Sequence, residues 1–547
     1  MEPNRRAAGF GRPFLWAAAL VLLGVLVAAL LDRREPGPSV LLVTIDTLRA
    51  DVALEEMPAL AALAKRGVRF ARARAPAPLT LPSHATLLSG LEPPEHGIRD
   101  NTASPLPEDR GFPLLAEEFR AAGYDTAAFV AASVLDARYG LDAGFSEYRQ
   151  PPPHGSGETA FRPLPAEEQV RRFRAWLAAR SPGRPFFAWV HLWEPHAPYE
   201  EWAGDERRAG TDAETDDAAV LYRGEARRAD AALEALLASV DPATTLVIVT
   251  SDHGEALGEH GEATHGLLCY GATMDVPLVM AGPEVPRGRV EGAPRGLHDV
   301  APTLRRLCGL PPAPGPGADL LAPPPARVVC GESLYANRLY GWAQQSCATD
   351  GRFSLVDGGP RLELFDLAAD PRETSPLPDP TLHPAYAPLD RALLAYRATR
   401  GPGGRGDPLA TAPAYYGSLR IAVGDFLKPA ENRALRDVHL GLGDVALLDR
   451  VNAAIEGRQA LLAQGLLPEL RLLEDDDRAN PAPCLARGRA LLLVLGRPLE
   501  AAEALEEART RGYRSPDLLA LLERAYAEAG DEASAARVRE ERKNPPR

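Results

Sequence analysis

The sequence predicts an α/β layered domain built on a mostly parallel sheet, followed by a region that is nearly all helix. Three observations carry this prediction. Short apolar runs rich in β-branched residues alternate with helical patterns, the signature of strand–helix–strand units. Small residues near the C-terminus recur at one fixed interval, the mark of a repeated helical unit. The chain of 547 residues exceeds one ordinary core of about 100–200 residues. Its 45% apolar and 25% charged residues are the composition of a folded protein rather than a disordered one.

The elements follow in order. Residues 14–31, FLWAAALVLLGVLVAALL, are uncharged and apolar, and at about 1.5 Å per residue they nearly cross a hydrocarbon core of about 30 Å. Arg5, Arg6 and Arg12 precede this run, which orients a tail of residues 1–13 toward the cytoplasm. The expectation is a single-pass inner-membrane anchor with the remaining chain on the periplasmic side. A cleaved signal peptide, with Val27-Ala28-Ala29 as its cleavage site, is the alternative. Pro36-Gly37-Pro38 ends the segment, and Ser39–Ile45 (SVLLVTI) reads as a buried strand. Similar runs recur at 126–131, 185–190, 244–250 and 277–281, with helical patterns at 58–66, 112–122, 167–180, 220–239 and 300–309 between and after them. The pattern closes near Glu363-Leu364-Phe365-Asp366-Leu367.

These signals divide the chain into a catalytic domain over 38–377, a Pro-rich linker over 378–413 and a helical domain over 414–547. In the last, Gly496 and Gly530, Ala501 and Ala535, and Ala502 and Ala536 are pairs at one common separation, the spacing of tetratricopeptide repeats. A plain helical bundle is the alternative. Stacked helix pairs expose a concave face that suits a protein partner. The helices carry none of the candidate ligands, so they are expected to be dispensable for chemistry on a small ester.

Charge and cysteine usage exclude some classes. A net charge of −14 opposes binding to a phosphate backbone, so no nucleic-acid partner is expected. The five cysteines form no C-x-x-C pair, which removes a zinc ribbon and a dithiol redox motif.

Chemistry concentrates in three clusters. Asp46 follows the first strand, at the sheet edge where α/β folds bind ligands; a helix cap is the alternative role. Thr80 stands two residues before Pro82, which suits a first helical turn, and Gly90 suits that helix's end. A helix N-terminus favours an alkoxide and an incoming anion there, although a capping threonine fits the same pattern. Asp252 and His253 end the strand TTLVIVTS, and His260 and His265 follow closely. Such a density of His and Asp is metal-like; a structural loop is the alternative.

As an ordered set, these segments resemble the sulfatase branch of the alkaline phosphatase superfamily over roughly residues 40–377. Thr80-Leu81-Pro82-Ser83-His84 is similar to the nucleophile motif Cys/Ser-x-Pro-x-Arg. Glu194-Pro195-His196-Ala197-Pro198-Tyr199 is similar to the family's Pro-His-x-Pro-Tyr segment, and Thr250-Ser251-Asp252-His253-Gly254-Glu255 to its second metal segment. The resemblance implies an α/β/α sandwich with a large mixed sheet, followed here by the tetratricopeptide-like region. It implies one or two divalent ions, held by Asp46, Asp252, His253 and the Thr80 oxygen. His196 and His265 would stabilise substrate oxygens, protonate the leaving group or bind a second ion.

Departures from the family pattern refine the chemistry. Thr80 is no substrate for formylglycine maturation, so it would act as an unmodified nucleophile. His84 replaces the motif's Arg, as a further anion contact or a structural residue, and Thr47 replaces a second Asp. With a nitrogen donor from His253 and one carboxylate fewer, zinc or manganese is expected over calcium. His191 reads as a strand-end residue. The implied function is an exported, membrane-anchored hydrolase of phosphate or sulfate esters, acting on a small-molecule or envelope substrate. A phosphoethanolamine-type group transferase and a catalytically idle scaffold are the alternatives.

Overall fold

The computed structural model describes residues 37–101, 105, 106, 108–152, 163–181, 183–199, 214–323, 326–399, 432, 433, 435–478, 480–511, 513 and 516–543. The expected tail and anchor, residues 1–13 and 14–31, lie outside these, as do residues 400–413 of the expected linker. The single-pass inner-membrane placement is corrected: among the described residues no helix is long and apolar enough to cross a membrane. Glu214–Leu237, at 24 residues, has the length, but its sequence is rich in charged residues.

The main sheet contains β1 (Ser39–Ile45), β2 (Val68–Arg74), β3 (Asp125–Phe129), β4 (Glu147–Arg149), β5 (Phe186–Leu192), β6 (Thr245–Ser251), β7 (Asp275–Ala281), β8 (Arg289–Glu291) and β9 (Arg295–Gly296). Their order is β4-β3-β5-β1-β6-β7-β2-β8, with β9 also on β2. β4, β3, β5, β1 and β6 are mutually parallel, and β7 runs against both β6 and β2. The sheet is thus mixed and mostly parallel, as expected. Its central strands are continuous apolar runs because both faces are covered. Val40 and Leu42 enter one core with Leu81 and Leu88, Phe119 and Leu304. Leu41, Val43 and Ile45 enter the other with Leu60, Leu63, Phe173 and Leu233. Each such buried side chain contributes about 1.5–3 kcal/mol. The result is the expected α/β/α sandwich.

A second, antiparallel sheet follows: β10 (Val329–Ser333), β11 (Gln345–Thr349), β12 (Phe353–Asp357) and β13 (Leu362–Asp366). Alternation along these strands serves two layers. Ala348, Leu355 and Leu364 pack on Leu389, Leu393 and Tyr396 of the helix Tyr386–Ala398. That helix falls within the stretch read as a linker. Cys347, Val356 and Phe365 join the core of the C-terminal helices.

The C-terminal region is helical, as expected, with helices Val438–Glu456, Ala460–Asp476, Ala482–Leu493, Pro498–Thr510, Pro516–Glu528 and Glu532–Lys543. The helix starts at Ala482 and Pro516 are separated by the same interval as those at Pro498 and Glu532, and it is the interval between Gly496 and Gly530. These helices are not a separate appendage. Their core also holds Leu267, Leu268, Tyr270, Met274 and Trp342. A Cβ at Gly441 would stand 2.3 Å from the Trp342 indole, so glycine is what lets the first helix approach. Trp342 Nε1 also donates to Asp477 at 2.9 Å. The helices thus share a core with the segment just after His265, which bears on the expectation that they are dispensable for chemistry.

Candidate active site

β1 and β6 lie side by side and parallel, with Ile45 opposite Ser251. Asp46 and Asp252, the next residue of each strand, therefore leave the sheet at the same edge. The helix Thr80–Ser89 begins beside them. Leu79 is its N-cap, in extended conformation and with no side-chain cap bond. Thr80 is thus the first helical residue, and its hydroxyl is not a cap. Its Oγ1 instead lies 3.3 Å from His253 Nε2. Pro82 fits the first turn because its missing N–H would have no partner there.

Asp46, Asp252 and His253 bring one ligand atom each to within 4.8 Å of one another, all three residues being buried. His253 Nε2 is 3.7 Å from Asp46 Oδ1 and 3.6 Å from Asp252 Oδ2. His253 Nδ1–H donates to the Gly254 carbonyl at 3.0 Å, which places the ring's lone pair on Nε2. Asp252 Oδ1 accepts the N–H groups of Thr47 at 3.2 Å and His253 at 2.9 Å, which leaves Oδ2 facing the cluster. Asp252 Oδ2 and both oxygens of Asp46 are buried without a hydrogen-bond partner among the described residues. Orphaned buried carboxylate oxygens beside an imidazole lone pair fit a divalent cation. Burial and the Asp252 charge push Asp46 well above the usual carboxylate range, against the pull of His253. Burial also works to raise Asp252, but His253, His84 and His191 outweigh it and hold the group at about 2.

Two further histidines border this cluster. The His265 ring lies 4.5 Å from that of His253 and 5.0 Å from that of His196. His265 Nδ1 is 3.1 Å from Glu255 Oε1, and the Tyr199 hydroxyl donates to Glu255 Oε2 at 3.0 Å. His196 Nδ1 is held by the Ala197 carbonyl at 2.6 Å, and its ring stacks on Trp193 at 3.9 Å. Burial pushes His196 down to about 3 and His265 to about 4, so both rings are neutral near pH 7. Burial raises Glu255 to about 7, against the pull of His196 and Tyr199.

All six candidate residues, Asp46, Thr80, His196, Asp252, His253 and His265, thus meet at one site. His84 lies beneath it, with Nδ1 on the Thr80 carbonyl at 2.8 Å and Nε2 on Thr44 Oγ1 at 3.0 Å. These bonds favour the structural reading of His84 over a substrate contact. Sequence reasoning missed the approach of His191 to Asp46, at 3.4 Å, and the roles of Glu255 and Tyr199. The signal for the last two was present, since both sit inside the motifs that carried the resemblance.

A sequence model of the sulfatase family matches residues 38–310. That stretch is a sulfatase-family domain. Members of this family bind a divalent metal and hydrolyse ester substrates, and the buried Asp46, Asp252 and His253 group supplies candidate ligands in this one. The chain is 24% identical over 408 residues to the Delta 4,5-hexuronate-2-O-sulfatase of Bacteroides thetaiotaomicron, covering 62% of this chain and 82% of that one. It is 33% identical over 142 residues to a sulfatase of Formosa agariphila, a match spanning 26% of this chain and 28% of that relative's length. Among solved structures, a 2-O GAG sulfatase superposes with a TM-score of 0.54 at 20% identity, over 68% of this chain and 98% of the other. The phosphonate monoester hydrolase of Agrobacterium radiobacter superposes with a TM-score of 0.53 at 22% identity, over 66% and 95%. Both likenesses establish the sulfatase fold.

Proposed function

We propose that this chain is a metal-dependent ester hydrolase in which Thr80 is the nucleophile. One observation carries the reading: the Thr80 hydroxyl, freed from capping, faces the lone pair of His253 beside two carboxylates with unpartnered oxygens. Asp46, Asp252, His253 and the Thr80 oxygen would hold a divalent cation, zinc or manganese by the mixed nitrogen and oxygen donors. Such a cation supplies positive charge that lowers the proton affinity of a hydroxyl and draws the anionic oxygens of an ester. The Thr80 oxygen attacks phosphorus or sulfur, and the bond to the alcohol breaks on the opposite side. His196 or His265, each neutral, would take the Thr80 proton and pass it to the departing alcohol oxygen. The same ring takes a proton from the water that frees Thr80 in the second half-reaction.

Phosphorus esters are the favoured substrate class. Thr80 stands where family members that mature to formylglycine carry Cys or Ser, and threonine does not undergo that change. The comparison with a phosphonate monoester hydrolase supports a fold compatible with phosphorus chemistry. The helical region, with its helix starts recurring at one interval, is read as tetratricopeptide-like and as a surface for a protein partner. The test is an assay of the full chain against aryl phosphate monoesters, diesters, phosphonates and sulfates, with zinc or manganese added. Turnover of a phosphorus ester that is abolished by a chelator is expected. Arylsulfatase activity alone would overturn the substrate class, and chelator-resistant turnover would overturn the metal.

A further inference from the structure

One C-terminal helix is apolar on both of its faces. The helix Ala460–Asp476 buries Ala463, Leu466, Leu467, Leu470 and Leu473 against its neighbours. Its opposite face carries Leu461 and Leu472, which are 92% and 71% exposed, with Gly465 and Pro468 exposed between them. These four residues follow one another at the alternating spacing of three and four that holds a single stripe on a helix. One step further at each end, Arg458 stands in the turn before the helix and Asp475 in its last turn, both exposed.

The flanks of this stripe are satisfied within the chain. Glu469 pairs with Arg450 at 3.5 Å, and Arg497 donates to Gln464 Oε1 at 3.4 Å. By contrast, Arg458 and Asp475 have no side-chain partner among the described residues. A Cβ added at Gly465 would meet nothing within 4 Å, so the middle of the stripe is open to a second surface. The order Arg–Leu–Gly–Pro–Leu–Asp selects that surface. Turned end for end against itself, it sets Leu461 opposite Leu472, Gly465 opposite the Pro468 ring, and Arg458 opposite Asp475. A two-fold axis requires that one residue meet a second while the second meets the first, and this pattern does so with opposite charges at both ends. A parallel pairing would instead set Arg458 on Arg458 and Asp475 on Asp475, like charge on like.

We propose that a second copy of this chain docks on this stripe, forming a two-fold dimer in which the two Ala460–Asp476 helices pack antiparallel. The proposal deepens the reading of the helical region as a surface for a protein partner, on which it rests, and does not depend on the Thr80 chemistry. Burial of Leu461 and Leu472 from both copies drives the contact, and the two Arg458–Asp475 pairs fix its direction. A contact between one pair of helices is smaller than the roughly 1,200 Å² that stable interfaces bury, so the dimer is reversible, with a Kd of about 1–100 μM.

The test is sedimentation velocity of the full chain over concentrations that span this Kd, in one buffer for every variant. The mass should rise from one copy to two. Leu461→Glu combined with Leu472→Glu should weaken the dimer about 100-fold or more, because four buried leucines become four carboxylates. Arg458→Asp alone sets Asp against Asp475 and should weaken it about tenfold. Adding Asp475→Arg to that variant reverses both charges and should restore the original Kd. All four side chains are exposed, so each variant should keep its circular-dichroism spectrum. A chain that stays monomeric throughout would overturn the proposal and leave the partner reading to a different protein. Association that survives the paired leucine substitutions would also overturn it, as would failure of the charge reversal to recover the Kd. The charge variants decide the matter by themselves if the leucine variant does not fold.

Discussion

Replacing Thr80 separates a structural hydroxyl from a reactive one. The side chain is 2% exposed, and its hydroxyl makes one contact, at 3.3 Å to His253 Nε2. Thr80→Ala removes that bond, worth about 0.5–1.5 kcal/mol net, and one buried methyl, worth about 0.8 kcal/mol. No cap bond is lost, since Leu79 is the N-cap, and alanine returns part of the cost through its helix propensity. The fold should therefore lose about 1–2 kcal/mol, a fall of a few degrees in Tm. The rate should fall by about 10³-fold or more, about 4 kcal/mol at about 1.36 kcal/mol per decade, because covalent catalysis depends on that oxygen. Thr80→Ser keeps the oxygen and should retain turnover within about tenfold. The assay is release of a chromogenic alcohol at saturating metal, paired with thermal unfolding of each variant. Near-normal turnover by Thr80→Ala would refute the nucleophile assignment.

Asp252→Asn and His253→Ala should each lower bound zinc or manganese, measured by elemental analysis, since each loses a ligand atom; full occupancy in both would remove the proposed site. Glu255→Leu should lower kcat about 10–100-fold with KM little changed, because His265 Nδ1 loses the carboxylate at 3.1 Å; an unchanged kcat would deny Glu255 a positioning role. A chain ending at residue 431 should lose turnover and unfold at lower temperature, since it strips the cover from Leu267, Leu268, Tyr270 and Trp342; full activity there would show the helices to be dispensable after all. Burial raises Glu262 from its ordinary 4.5 to about 8, against the N–H groups of Leu267 and Leu268. The folded chain then holds this proton more tightly than the unfolded one, so the associated stability is full below about pH 4.5 and is lost as pH rises toward about 8. Glu262→Gln should flatten that part of the Tm–pH curve, and an unchanged slope would speak against a protonated Glu262.

The sandwich and the core of the site were legible because each rests on a local signal. A strand covered on both faces must be apolar throughout, so SVLLVTI and TLVIVTS announce themselves. Asp46 and Asp252 then follow directly after two such runs. Thr80 was legible through Pro82, although the sequence could not separate a cap from a first helical residue, a distinction that depends on the backbone angles of Leu79. What stayed hidden depends on pairings between distant strands. His191 meets Asp46 because β5 lies beside β1 with His191 opposite Thr44, a register that no local pattern encodes. The helical period was visible in Gly496 and Gly530, but a period does not say which surface a repeat leans on. That information lies in the fit of Gly441 to Trp342.

The shared core also sets an order of events during synthesis. A ribosome releases the chain from its N-terminus, and early domains generally fold as they emerge. Asp46, Thr80, Asp252, His253 and His265 all leave the exit tunnel well before the helix Val438–Glu456 that backs the next segment. Until that helix appears, Leu267, Leu268, Tyr270 and Trp342 lack the part of their apolar cover that the C-terminal helices supply, and the loop that carries His265 lacks that backing. Gly261, at φ +83°, lies where an added Cβ would come within 3.1 Å of Leu442 of that late helix. A half-made chain would thus hold every candidate reactive group without the backing of its loop, and competence would arrive with the C-terminal helices.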